Sequence, residues 1–121
     1  MCKEGKLHID LKEYLGKEVL IKIDRPLGSK HPKHDFIYEL NYGYIPNTKS
    51  PDDEEIDAYL IGVNEPVSEY LGKCVAIICR EDDDDDKLVI VPKEVNSLSD
   101  EEILETVNFQ EKYFKSTVIR K

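Results

Sequence analysis

Positive charge is scarce in this sequence: 17 Lys and Arg face 26 Asp and Glu, a formal net charge of -9 over 121 residues. That deficit argues against non-specific nucleic-acid binding, which needs cations to displace phosphate counterions. It argues equally against docking on anionic lipid. Also missing is any run of the roughly 18 to 20 apolar residues that a membrane helix requires. The N-terminus, Met1-Cys2-Lys3-Glu4-Gly5-Lys6, has no apolar stretch of the kind a secretory leader carries. A cytoplasmic protein is therefore expected. Cysteine is sparse: Cys2, Cys74 and Cys79 are an odd number and cannot all pair within one chain. No His or further Cys stands at zinc-ligand spacing from them. The expectation is reduced, structural cysteines, with Cys2 the best candidate for a reactive thiol.

What is present is 36% charged and 40% hydrophobic residues, a heavily solvated surface around one compact core. One domain over residues 1–121 is expected at this length. An acidic protein that handles a phosphate compound needs something besides its net charge to attract it, and divalent metal fits that need.

Alternation of Val19, Ile21 and Ile23 with Leu20, Lys22 and Asp24 predicts a strand from Glu18. Arg25-Pro26 and Gly28-Ser29 end it, and Lys30-His31-Pro32-Lys33-His34 forms a basic loop. Phe36 to Tyr38 resumes an apolar run, followed by the aromatic segment Asn41-Tyr42-Gly43-Tyr44-Ile45-Pro46. Strands are predicted over residues 56–63 and 73–79, with 88–91 pairing in a hairpin across an aspartate run. Ser99 followed by Glu102 is a capping-box signature. Behind it Ile103, Val107, Gln110 and Phe114 share one face, predicting a helix of about four turns to near Ser116. A short helical stretch is predicted over Leu11 to Leu15. Together these elements suggest a small curved sheet or barrel with a helix packed on it.

Ten of the acids fall in two segments, Asp52-Asp53-Glu54-Glu55-Ile56-Asp57 and Asp82 to Asp86, the latter closed by Lys87. Oxygen-rich clusters suit hard cations such as magnesium or calcium rather than zinc. Neither has the glycine and closing glutamate of an EF-hand loop. Taken alone, each reads as a solvated turn, because aspartate bonds nearby backbone donors. Their company changes the reading. Tyr38, Tyr42 and Tyr44 offer hydroxyls, and Lys30, Lys33 and Lys87 offer cations. Carboxylates for metals beside cations and hydroxyls for phosphate oxygens are what a metal-assisted phosphoryl site requires.

Tyr38, NYGYIPNT from Asn41 to Thr48, and DDEEID from Asp52 to Asp57 resemble the soluble magnesium-dependent inorganic pyrophosphatases of bacteria. Asp85-Asp86-Lys87-Leu88-Val89-Ile90-Val91-Pro92 and the Phe109-Gln110-Glu111-Lys112-Tyr113 helix extend the likeness, in order, over about Val19 to Lys115. The resemblance implies an α+β, mainly β fold: a small OB-like five-stranded barrel or similar curved sheet with a C-terminal helix packed on it. It implies hydrolysis of pyrophosphate to two phosphates on bound Mg2+, and a homo-oligomer. Asp52, Asp57, Asp82 and Asp85 match metal ligands. Lys87 matches a phosphate-binding lysine, Tyr38 and Tyr42 match active-site tyrosines, and Tyr113 matches the phosphate-contacting tyrosine of the last helix.

The pattern departs from the family at several positions. Glu54 stands where an aspartate accepts a proton from the attacking water, and Glu55 replaces a proline. Phe114 stands in place of a phosphate-binding lysine, with Lys115 one residue on. Upstream, the family's I-E-I-P strand is read onto Ile21-Lys22-Ile23-Asp24, losing a carboxylate. Arg25, Lys30 and Lys33 are candidate replacements for the cations of a compressed hairpin. The alternative reading is a catalytically weak, pyrophosphatase-like module that binds phosphate or metal in a regulatory role. A nucleic-acid-binding barrel is the third reading, and net charge opposes it.

Overall fold

The computed structural model describes residues 14–31, 35–46, 55–80, 86–95, 98–112 and 116–119. The strands are β1 (Glu18–Arg25), β2 (Asn41–Ile45), β3 (Ile56–Leu60), β4 (Glu69–Arg80), β5 (Lys87–Val91) and β6 (Ser116–Ile119), with helix α1 (Asp100–Glu111) between the last two. The strand order is β1-β2-β3-β5-β4-β6, and β1 also pairs with β4, closing five strands into a barrel. All the pairings are antiparallel except β3 with β5.

The wall has two apolar faces. Val19, Ile21, Ala58, Leu60, Cys74, Leu88 and Ile90 fill the barrel interior. Tyr42, Tyr59, Ala76, Ile78, Val89 and Val91 face outward into a second core closed by Ile103, Val107 and Phe109 of α1. Strands covered on both faces read as continuous apolar runs, and all five residues of β5 are buried. The hairpin expected between β4 and β5 is present, with Ile77 opposite Leu88.

Two residues of the Asn41–Ile45 segment hold the wall together. Asn41 is fully buried. Its Oδ1 accepts from the Leu27 and Val67 amides at 3.0 and 3.3 Å. Its Nδ2 donates to the Glu65 and Val63 carbonyls at 2.9 and 3.4 Å. One amide thus joins the β1–β2 and β3–β4 connections. Gly43 lies where β1 crosses β2 so closely that a Cβ would overlap the Lys22 carbonyl and sit 2.8 Å from the Ile23 Cα.

The helix begins as its cap requires. Ser99 Oγ accepts from the Glu102 amide at 3.1 Å, and the Glu102 carboxylate accepts from the Ser99 amide at 3.4 Å. Its end differs from the sequence expectation: α1 stops at Glu111, and Ser116 opens β6 instead of closing the helix. β4 is 12 residues long, and β1 covers only its Glu69–Lys73 half. β6 takes the open edge at Ile77–Arg80. An unpaired edge deep in a sheet draws a strand regardless of local helical period.

The cysteines also differ from expectation. Cys74 is free and buried, whereas Cys79 is disulfide-bonded. Disulfide pairing depends on Cα proximity in the folded chain, which spacing does not report. Of the predicted Leu11–Leu15 helical stretch only Tyr14 and Leu15 are described, in a short 3-10 turn with Leu15 buried.

Gly43→Ala is expected to cost more than about 3 kcal/mol, because backbone rather than a flexible side chain must move. Urea unfolding with an unchanged m-value would measure it; a cost below about 1 kcal/mol would show that β1 and β2 can part cheaply.

Candidate active site

Asp57 and Lys87 come together through the parallel pairing of β3 and β5. The ladder matches Ala58 with Leu88 and Tyr59 with Val89, so one step back lie Asp57 and Lys87. Ala58 and Leu88 point into the barrel; alternation turns their neighbours to the outer face. There Lys87 Nζ donates to Asp57 Oδ2 at 2.8 Å. The lysine side chain is 2% exposed and the aspartate 33%, so the pair opens to water on the carboxylate side. A lysine buried to that degree needs a charged partner.

Aromatic rings floor the pair. Lys87 Nζ stands 5.6 Å from the centre of the Tyr42 ring, within cation–π range. Tyr42 faces Tyr59 across the β2–β3 ladder with ring centres 4.9 Å apart, and Tyr38 stacks on its other side at 5.5 Å. Phe109 meets Tyr38 and Tyr59 edge-on from α1.

The end of β1 supplies two further charges. Its register against β2 slips between Ile23 and Arg25, which makes Asp24 the bulged residue. Bulges re-aim side chains and are common beside sites. Asp24 is exposed at the surface, yet partial desolvation pushes its carboxyl above the ordinary value; Arg25 opposes this, while Asp57 and Glu55 add to it. Burial likewise raises the Tyr38 hydroxyl, against the charge of Arg25 and Lys87 and with that of Asp24 and Asp57. Asp24, Arg25, Tyr38, Asp57 and Lys87 therefore share one electrostatic neighbourhood.

Of the residues expected from sequence, Arg25, Tyr38, Tyr42, Asp57 and Lys87 are brought together. Lys30 stands apart on the short arm that pairs with Ile37, exposed and 3.8 Å from Asp35. Asp52, Glu54, Asp82, Asp85, Tyr113, Lys33 and Lys115 lie outside the described residues. Among the described residues no three His, Cys, Asp or Glu cluster tightly enough to hold a metal. The donor chemistry nonetheless suits a hard cation. Asp24, Glu55 and Asp57 are oxygen donors whose mutual repulsion contributes to the raised Asp24.

Tyr38 packs against Phe109 and Gln110 of α1. It is 2% exposed, and its hydroxyl donates to Gln110 Oε1 at 3.0 Å. Three residues escaped the sequence reading. Asp24 adds a carboxylate at the end of β1, and the bulge that carries it has no spacing signal. Tyr59 was recoverable, since it stands two positions after Asp57 on one strand face. Gln110 was visible as the polar member of an apolar helix face.

A sequence model of the inorganic pyrophosphatases matches residues 2–118. The chain belongs to the inorganic pyrophosphatase family. Among curated proteins none matches the sequence at a significant level. Solved structures give the same fold. The inorganic pyrophosphatase from Ehrlichia chaffeensis superposes with a TM-score of 0.68 at 18% identity, covering 88% of this chain and 87% of that one. That from Coxiella burnetii gives 0.63 at 17%, covering 85% and 84%. That from Helicobacter pylori gives 0.59 at 17%, covering 85% and 82%. Pyrophosphate hydrolysis is the activity that the family supports.

Because the folded state raises the Asp24 carboxyl, its charge costs stability above that raised value and costs nothing once both states are protonated. In chelator, Asp24→Asn is expected to raise the urea midpoint at pH 7, the gain fading as pH falls toward about 3. A gain that instead grew on acidification would show that the carboxyl is not raised.

Proposed function

We propose that this pyrophosphatase cleaves pyrophosphate into two phosphates with Mg2+ as its cofactor, on the outer barrel wall around Asp57 and Lys87. The carrying observation is the 2.8 Å pairing of these two side chains on adjacent parallel strands. It sets a carboxylate and an ammonium beside each other, with the carboxylate side open to water. Asp57 would hold magnesium together with Asp52, Asp82 and Asp85. When bound, the metal lowers the pKa of water and offsets phosphate charge.

The chain's own groups do the remainder. Glu54 takes the proton of the attacking water. Lys87 and Tyr113 meet the charge that develops on the leaving phosphate, and the Tyr42 ring holds the Lys87 ammonium in place. Arg25, whose charge acts on Asp24 and Tyr38, is a candidate phosphate ligand, with Lys30, Lys33 and Lys115 as further ones. Tyr38 contributes through its ring, because its hydroxyl is engaged by Gln110. A cytoplasmic, homo-oligomeric protein of one domain accompanies this reading. The Cys79 disulfide runs against the location, since reducing compartments disfavour such bonds.

Glu54 and Phe114 favour the second reading, a weakly catalytic phosphate- or metal-binding module. Purified protein with magnesium is expected to release phosphate from pyrophosphate, and Asp57→Asn to lower turnover at least about 100-fold. Normal metal binding by calorimetry without phosphate release would sink the enzymatic reading. Glu54→Asp separates the two: little change marks an enzyme adapted to glutamate, and a large rise marks the weak module.

A further inference from the structure

Between the barrel wall and α1 runs a buried chain of hydrogen bonds that the proposed reaction does not use. Ser116 Oγ donates to Glu111 Oε1 at 2.5 Å, and the Tyr59 hydroxyl donates to Glu111 Oε2 at 2.5 Å. With its proton committed there, the Tyr59 oxygen accepts from Gln110 Nε2 at 2.7 Å. That orients the amide, so Gln110 Oε1 faces the Tyr38 hydroxyl and accepts from it at 3.0 Å. Tyr38, Tyr59, Gln110 and Glu111 are all less than a tenth exposed. Fully partnered networks of this kind rigidify what they join.

What they join is the frame of the site. Tyr38 and Tyr59 are the two rings that bracket Tyr42, and the ammonium of Lys87 stands over the Tyr42 ring. We propose that Gln110 is a positioning residue: its amide clamps Tyr38 and Tyr59 on either side of Tyr42 and so fixes the ring on which Lys87 rests. The inference rests on the pyrophosphatase reading above. Without Gln110 the buried Tyr38 hydroxyl loses its acceptor, and the ring must tilt against Tyr42 to find another.

The test uses the full chain with magnesium and pyrophosphate, reading kcat, KM and the thermal midpoint for Gln110→Met, Tyr38→Phe and the double variant. Gln110→Met keeps the volume and removes both hydrogen bonds. It is expected to lower kcat about tenfold while KM stays within about twofold, since misplacing a group that acts on the transition state is felt in kcat. Tyr38→Phe alone keeps the Gln110–Tyr59 arm and is expected to lower kcat less than about threefold. The double variant has no orphaned donor, so its thermal midpoint is expected to return toward wild type while kcat stays low. Recovery of kcat together with the midpoint would show a merely structural Gln110 and overturn the inference. Wild-type kcat in Gln110→Met would also overturn it, leaving the pyrophosphatase reading intact. A wild-type protein without turnover would overturn both.

Discussion

An ammonium that keeps only 2% of its side-chain surface exposed has to be paired, and for Lys87 the partner is Asp57. That requirement ties the site to the barrel's topology. β3 and β5 are the parallel neighbours of the sheet, and their register sets Asp57 and Lys87 side by side at the starts of both strands. An antiparallel ladder in the same place would have carried them to opposite ends. The crossover from β3 to β5 through β4 is therefore what converts two distant charges into one pair.

The outer face of the wall makes the pair usable. Inside the barrel, Ala58 and Leu88 are dry and apolar, and a charge there would have no route to water. On the outer face the same strands present Tyr59, Val89 and Val91 to α1, and the aromatic second core ends at the pair. Asp57 faces water at this margin while Lys87 lies beneath it, over the Tyr42 ring. Gly43 allows β1 to approach β2 closely enough for its bulge at Asp24 to bring a further carboxylate and Arg25 into the same field. The low dielectric below and the water above make the margin the place where charge chemistry is strongest and still accessible.

Much of this was legible beforehand. Period-two alternation located β1, apolar runs located β3, β4 and β5, and Ser99 with Glu102 located the start of α1. The ordered motifs selected Tyr42, Asp57 and Lys87, which the fold does assemble. The illegible parts share one physical cause. β6 exists because β4 outruns β1 and leaves an edge to be paired. Asp24 sits on a one-residue register slip, and Cys79 is bonded through spatial proximity. Tyr38 offered a hydroxyl on paper, but its burial turned that hydroxyl to Gln110.

The amino-acid sequence by itself determined the family, the acidity and most of the element types. Residue type and local period carry that information without reference to neighbours. The tertiary structure alone decided which groups meet: the Asp57–Lys87 pair, the bracket around Tyr42, the bulged Asp24 and the inward turn of Tyr38. Those outcomes depend on strand register and on contacts between residues tens of positions apart, from the 30 that separate Asp57 from Lys87 to the 72 that separate Tyr38 from Gln110. Local propensity has no means of encoding such separations; burial and hydrogen-bond satisfaction in the closed barrel do.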